Sequence, residues 1–156
     1  MKDHLKKCFL FRNWNDNELT QLAKTCFELE LSIGQTLFLE DDVSDSLFVV
    51  KSGSINIEKT TGEKDQMIAC IDAGSYFGEL GILADQPGHD KRSASATAKE
   101  NASVIKIPYA GLLTFIKSNP IYGAAFYKNI AVALSLRIQK TSQDLASLKA
   151  LRLRSL

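Results

Sequence analysis

The alternation of apolar and polar residues changes period twice along the chain, and the two changes divide it into three parts. Leu19, Leu22, Ala23, Cys26 and Phe27 recur at helical spacing behind Asn15, a capping residue type, with Glu18 three positions later as in a reciprocal capping box. This pattern predicts a first helix over about 16–26. The period then drops to two: Phe27, Leu29, Leu31 and Ile33 alternate with Glu28, Glu30 and Ser32 up to a turn at Gly34. Short apolar runs follow, from Thr36 to Leu39, Leu47 to Lys51, Ile55 to Lys59, Met67 to Ile71, Ser93 to Ala98 and Val104 to Pro108. Turn residues separate them, among them Ser52-Gly53-Ser54, Thr61-Gly62-Glu63 and Ala73-Gly74. Regular short strands with tight turns predict a mainly β domain, an antiparallel β-barrel or jelly roll spanning about 27–108, and argue against a βαβ sheet.

After Pro108 the period returns to that of a helix. Leu112, Leu113, Phe115 and Ile116 predict a short helix that ends before Pro120, because the residue preceding proline is pushed out of the helical region. A long helix follows from about Ile121 to at least Leu148. Tyr127, Ala131, Leu134, Ile138, Thr141, Leu145 and Leu148 fall on it at alternating spacings of four and three, a coiled-coil seam. Packing on the chain's own barrel accounts for part of that stripe. Self-association into a homodimer is expected for the distal half, which otherwise buries nothing. Its basic end, Lys149, Arg152 and Arg154, reads as solvated and suits the negative pole of a helix terminus.

Composition narrows the class without naming a partner. With 156 residues, 45% hydrophobic, 24% charged and a formal net charge of +1, the chain has the size and balance of one globular domain, residues 1–156. Cys8, Cys26 and Cys70 have no close pair, and only His4 and His89 exist to complete a metal set, so reduced thiols and no metal are expected, two of the thiols in the core. The charged start Met1 to Lys7 does not read as a secretory signal, and no apolar run approaches the ~20 residues of a membrane span, so a soluble cytoplasmic protein is expected. No nucleophile and base pair appears, and no catalysis is expected.

Candidate chemistry concentrates between Gly74 and Ala98. Phe77-Gly78-Glu79 follows a Gly-Ser turn and precedes an apolar run too short for a full helix. A single helical turn there aims the N–H groups of residues 79–81 at whatever lies in front, and glycine lets a ligand approach the backbone. Glu79 beside such an anion site fits only if it turns aside to accept hydrogen bonds from hydroxyls, as a ribose offers. Arg92 supplies a guanidinium able to pair two phosphate oxygens at once. Beyond it Ala94, Ala96 and Ala98 alternate with Ser93, Ser95 and Thr97, either an open floor for a ligand or an edge strand facing water. Singly, Phe-Gly-Glu is a common turn and an arginine a solvated side chain; their conjunction inside a strand-rich chain carries the reading.

Phe77-Gly78-Glu79-Leu80-Gly81 followed by Arg92-Ser93-Ala94-Ser95 resembles the phosphate-binding cassette of the cyclic nucleotide-binding domain family, which includes the catabolite activator protein, protein kinase A regulatory subunits and cyclic-nucleotide-gated channels. The turn Ile33-Gly34-Gln35, the strand Leu47 to Val50 leading to Ser52-Gly53, and Ala73-Gly74 also stand where that family places its strand and turn signals. The resemblance implies a cyclic nucleotide ligand held by Phe77, Gly78, Glu79, Leu80, Arg92, Ser93 and Ala94. Gly78 and Leu80 would present backbone amides to the phosphate, Glu79 would hold the ribose 2′-hydroxyl, Arg92 the exocyclic phosphate oxygens, and Ser93 a hydroxyl or amide contact. Arg137 to Ser142 is similar to the helix segment that reads adenine in the bacterial catabolite activator subfamily. By that likeness Thr141 contacts the base in its own subunit and Ser142 the base bound by the partner, which favours cAMP over cGMP. Thr141 also reads as a register-setting polar residue of a coiled coil.

Two departures from the family accompany this. Arg92 lies thirteen positions after Glu79 (92 − 79), several more than the family usually allows, with the extra residues in the loop Ala84 to Lys91, where His89 and Asp90 read as solvated. Loop length alone is cheap, about 0.6 kcal/mol per doubling. The chain also stops at Leu156, where a catabolite activator begins its helix-turn-helix, so no DNA-reading element is expected. The expectation is a stand-alone sensor acting on an unknown effector protein; the alternatives are a degenerate, nucleotide-free dimerising adaptor or a sensor of another effector.

Overall fold

A computed structural model of the chain describes residues 1–62, 64–84 and 90–154. Eight described strands form two antiparallel four-stranded sheets: β1 Phe27–Leu31, β2 Thr36–Phe38, β3 Ser46–Ser52, β4 Ser54–Thr61, β5 Lys64–Asp72, β6 Tyr76–Phe77, β7 Ser95–Ala98 and β8 Ala102–Pro108. One sheet runs in the order β1-β8-β3-β6, the other β2-β7-β4-β5. This is the mainly β barrel with flanking helices that the pattern predicts.

The run Leu47-Phe48-Val49-Val50 on β3 is apolar at consecutive positions because both faces of its sheet are covered. Phe48 and Val50 point into the barrel with Leu31, Ile55, Phe77, Ala96, Ala98 and Val104. Leu47 and Val49 point the other way, together with Ile105 and Ile107 of β8, against the helices. Each such buried side chain contributes about 1.5–3 kcal/mol of apolar burial.

The helical layer contains two elements that the sequence pattern did not disclose, α1 over Lys2–Lys7 and a 3-10 turn over Phe9–Phe11. They bury Leu5, Leu10 and Phe11 in segments too short to show a period. The first predicted helix is α2, Asp16–Ala23, three residues shorter than its apolar spacing suggests. Asn15 caps it by accepting from the amides of Asn17 and Glu18. The reciprocal half of the capping box is not formed: Glu18 accepts from Asn17 Nδ2 instead, so the box is a simple N-cap. The first strand ends at Leu31, because Ser32 to Gln35 turn and leave Ile33 exposed. The β4–β5 hairpin is longer than its apolar runs, extended by polar residues such as Thr60, whose hydroxyl bonds Asp65.

Helix α3, Tyr109–Ser118, stops at Asn119, and α4, Pro120–Arg154, starts with proline at its first position, where no amide donor is needed. An aromatic group fixes the start of α4: Trp14 stacks on Phe115 with ring centroids 4.8 Å apart, and Phe11 stacks on Phe126 at 5.5 Å. Asn129 is fully engaged inside it, donating to Leu10 O and Asn13 Oδ1 at 3.0 Å each and accepting from Arg12 Nε at 3.2 Å. Past Leu134 this packing ends, and every described residue from Ser135 to Leu153 is exposed, Ile138, Leu145 and Leu148 of the seam included. No helix among the described residues is long and apolar enough to cross a membrane.

Candidate ligand-binding site

The site begins where β6 leaves the edge of the β1-β8-β3-β6 sheet. Pairing of Phe48 with Phe77 and of Val49 with Tyr76 anchors the segment to β3, and Phe77 stacks on Phe48 with centroids 5.2 Å apart. Gly78 follows with φ 80°, a conformation that costs other L-residues, and with no room for a side chain: a Cβ would stand 2.8 Å from Arg92 Nη1 and 3.1 Å from Ser46 O. Its carbonyl accepts a hydrogen bond from the Tyr109 hydroxyl. Glu79 then leads into a 3-10 turn, Leu80–Leu83. Among the described residues the amides of Glu79, Leu80 and Gly81 donate to no backbone acceptor.

Arg92 lies under this turn with 5% of its surface exposed. Its guanidinium covers the Phe38 ring at 4.1 Å and the Phe48 ring at 5.3 Å, donates from Nη1 to Ser46 O at 2.8 Å, and approaches Asp45 Oδ1 at 3.5 Å. Burial holds it below its ordinary pKa, against the upward pull of Tyr109, Asp45 and Asp42. Its Nε–H, also buried, meets no acceptor. A buried cation with an unused donor is costly unless an anion completes its shell. Asp45 supplies that charge only in part, since its carboxylate is well exposed and is shared with Lys106 at 3.4 Å.

Glu79 is 3% exposed, and its carboxylate accepts from Arg137 of α4. Arg137 also lies over the Tyr76 ring at 5.5 Å. Burial pushes the Tyr76 phenol up to about 12, although the Arg137 charge opposes this. A cavity of about 680 Å³ opens between cassette, barrel and long helix, within the range that takes a small ligand.

Of the residues expected from sequence, Phe77, Gly78, Glu79, Leu80, Arg92, Ser93, Ala94 and Thr141 all line this cavity, and Ser142 does not. Ser93 is exposed, and its carbonyl accepts from Lys59 Nζ at 3.1 Å. The alanine floor is narrower than expected. Ala94 faces the cavity, whereas Ala96 and Ala98 pack in the barrel core on β7, so their small size serves closeness between sheets. Thr141 is exposed and not buried in a seam. In the lengthened loop, residues 85–89, His89 among them, lie outside the described residues. Arg137, Lys140 and Asp144 join Thr141 on the helix side of the cavity, and Ile57, Ile68, Ala69 and Ile71 form its apolar wall. Local sequence assigns these no role: Arg137 stands only at the head of the segment ending at Ser142, and the isoleucines only as strand residues.

The family model described as Cyclic nucleotide-binding domain matches residues 28–119, more than half of the chain. A CRP-like cAMP-activated global transcriptional regulator of Mycobacterium tuberculosis is 22% identical over 149 residues, which cover 95% of this chain and 63% of the regulator. Human cGMP-dependent protein kinase 2 is 28% identical over 103 residues, 64% of this chain and 13% of the kinase. The crystal structure of the N-terminal domain of a transcriptional regulator from Streptomyces coelicolor A3(2) superposes with a TM-score of 0.72 at 26% identity, covering 92% of this chain and 95% of that one. The chain thus spans less than two thirds of the length of these two curated relatives.

Proposed function

The chain belongs to the cyclic nucleotide-binding domain family, and on that premise we propose that it binds a cyclic nucleotide, cAMP in preference to cGMP, as a regulatory module without catalysis of its own. The observation that carries this is Arg92: a guanidinium buried beneath Gly78, with an unused Nε–H, beside a cavity that also holds a buried carboxylate. A cyclic phosphate supplies the missing acceptor, with the amides of the 79–81 turn as further donors. The ribose 2′-hydroxyl donates to Glu79, and Ser93 adds a contact at the phosphate. The apolar wall of Ile57, Ile68 and Ile71 takes the faces of the ring system. Thr141, whose hydroxyl both donates and accepts, meets the base edge from α4.

The ligand acts by population shift. Arg137 ties α4 to Glu79 beyond the last buried residue of that helix, Ile130, so a hydroxyl that competes for Glu79 favours a different docking of the distal helix. The exposed stripe of Ile138, Leu145 and Leu148 supports a homodimer through α4, in which Ser142 reaches the partner's ligand. The response then passes to an effector protein. The two relatives' names state cAMP activation and cGMP dependence of those whole proteins; here the preference for cAMP rests on Thr141 and Ser142.

Calorimetric titration with cAMP and cGMP tests the reading. The expected result is saturable binding of both with cAMP tighter. Flat titrations with both overturn it in favour of a nucleotide-free dimerising adaptor, or, where a thermal-shift screen finds another small molecule, in favour of a different effector. Hydrolysis of cAMP on incubation would overturn the absence of catalysis.

A further inference from the structure

Tyr109 opens α3, stands outside the cavity and is 8% exposed, yet its hydroxyl meets the turn on which ligand binding depends. It donates to Gly78 O, lies 3.0 Å from Ser44 Oγ and stands next to the Arg92 guanidinium, which resists the rise in the phenol's pKa that burial imposes. The knot is tight: a Cβ on Gly81 would come within 2.9 Å of the tyrosine oxygen and 2.2 Å of Ser44 Oγ.

We infer that Tyr109 is a positioning residue for the phosphate-binding turn, holding the Gly78–Glu79 peptide plane so that the Glu79 amide and the turn behind it face the ligand. This rests on the proposed cyclic nucleotide site. The carbonyl of Gly78 and the N–H of Glu79 belong to one planar trans peptide and point in opposite directions. A hydroxyl that holds the carbonyl therefore turns the N–H away from itself. Gly78, at φ 80° and without a side chain, offers little steric resistance to rotation of that plane, so the orientation has to come from an outside bond. The tyrosine supplies it from α3, the helix that leads through Pro120 into α4. The same contact thus joins the turn to the helical layer.

The test compares the full chain with Tyr109→Phe, which removes the hydroxyl and keeps the ring. Amide ¹H–¹⁵N spectra of both are recorded without ligand and during cAMP titration, with affinities from calorimetry. The expected result is a loss of affinity of about tenfold, one neutral hydrogen bond in magnitude. It is accompanied by displaced resonances of Glu79, Leu80 and Gly81 in the ligand-free spectra and smaller cAMP-induced shifts there. Equal affinity overturns the inference, and so does weaker binding with the three amides unmoved, since that is the behaviour of a residue that only stabilises the fold. If the wild-type chain binds neither cAMP nor cGMP, the proposed function fails by itself. The ligand-free spectra still decide whether Tyr109 orients the turn, with coincident amide positions in the two proteins refuting it.

Discussion

Replacing Gly78 by alanine separates two costs that usually come together, because the chain provides its own control. Gly34 and Gly78 have nearly the same φ, 79° and 80°, but a Cβ on Gly34 meets nothing within 4 Å. The left-handed conformation costs an L-residue about 1–2 kcal/mol, partly offset by about 0.4–1 kcal/mol from a stiffer unfolded chain. Gly34→Ala should therefore cost about 1 kcal/mol. At position 78 the new methyl must also displace Arg92 Nη1 from 2.8 Å, since the other near neighbour, Ser46 O, belongs to a residue of β3 paired with Pro108 of β8. Moving the guanidinium forfeits its 2.8 Å hydrogen bond to that carbonyl, a charge-assisted bond of about 1.5–3 kcal/mol. The total reaches about 3 kcal/mol. For a domain of this size each kcal/mol lowers the melting temperature by about 2–4 °C, so circular dichroism melts should fall by about 2–4 °C for Gly34→Ala and about 6–12 °C for Gly78→Ala. Melts of the two variants within about 2 °C of each other would refute the packing of Arg92 against Gly78, whatever the ligand.

Arg92→Ala should weaken cyclic nucleotide binding by about 2–5 kcal/mol, because a buried phosphate loses its counter-charge; calorimetry finding wild type and variant alike would sink that role. Arg137→Ala leaves Glu79 buried without its partner and should cost about 1–2 kcal/mol in urea unfolding, kept modest because Arg137 is about half exposed; adding Glu79→Gln should restore most of the loss, and additive losses would show the two are not coupled. Burial pushes the Cys8 thiol up to about 12 and Cys26 up to about 11, so the unfolded chain gives up these protons first, near the ordinary 9.0. Stability from this source is complete below about pH 9 and falls from there until pH has passed the folded values of about 11 and about 12. Urea midpoints between pH 8 and 10.5 should decline, less steeply in Cys8→Ala, and parallel declines would argue against it. Analytical ultracentrifugation of the full chain and of one ending at Lys140 tests the helix seam: a dimer that becomes a monomer supports it, and identical sedimentation states refute it.

The barrel was legible because its strands are marked twice, by period and by turn residues, and the cassette because Phe77 to Leu80 and Arg92 to Ala94 are short local strings. What escaped depends on distance along the chain. The partner of Glu79 is fifty-eight residues away, and Arg92 bonds a carbonyl forty-six residues back, which no side-chain pattern can reveal. Tyr109 reads as an ordinary helix-opening aromatic until its hydroxyl is seen against Gly78. The two-residue strand β6 is too short to show a period; α1 carries the lone apolar residue Leu5, and the 3-10 turn after it, Phe9–Phe11, is a three-residue apolar run, both too short for a period and explained only by the helical layer. The opposite error came from Ala96 and Ala98: small residues in alternation look like space, but with an opposing sheet close by they are packing.

Both charges that a cyclic nucleotide needs already have partners. Asp45 and Ser46 O hold two edges of Arg92, and Arg137 holds Glu79. Affinity is therefore a difference between exchanged bonds and not a sum of new ones. The exchanges are unequal. Asp45 is exposed, 3.5 Å away and shared with Lys106, so a phosphate can complete Arg92 without moving any element of the fold. Glu79 is buried, and its partner belongs to α4, so a hydroxyl that takes over its oxygens weakens a bond between the cassette and the helix. The phosphate half of the ligand is thus expected to set affinity and the ribose half the response. A 2′-deoxy analogue of cAMP should bind while leaving α4 docked as it is, and fluorescence of Trp14, the lone tryptophan, which packs at the start of that helix, reads the difference. Equal fluorescence changes with cAMP and its 2′-deoxy analogue at saturation would show that the ribose does not drive the helix.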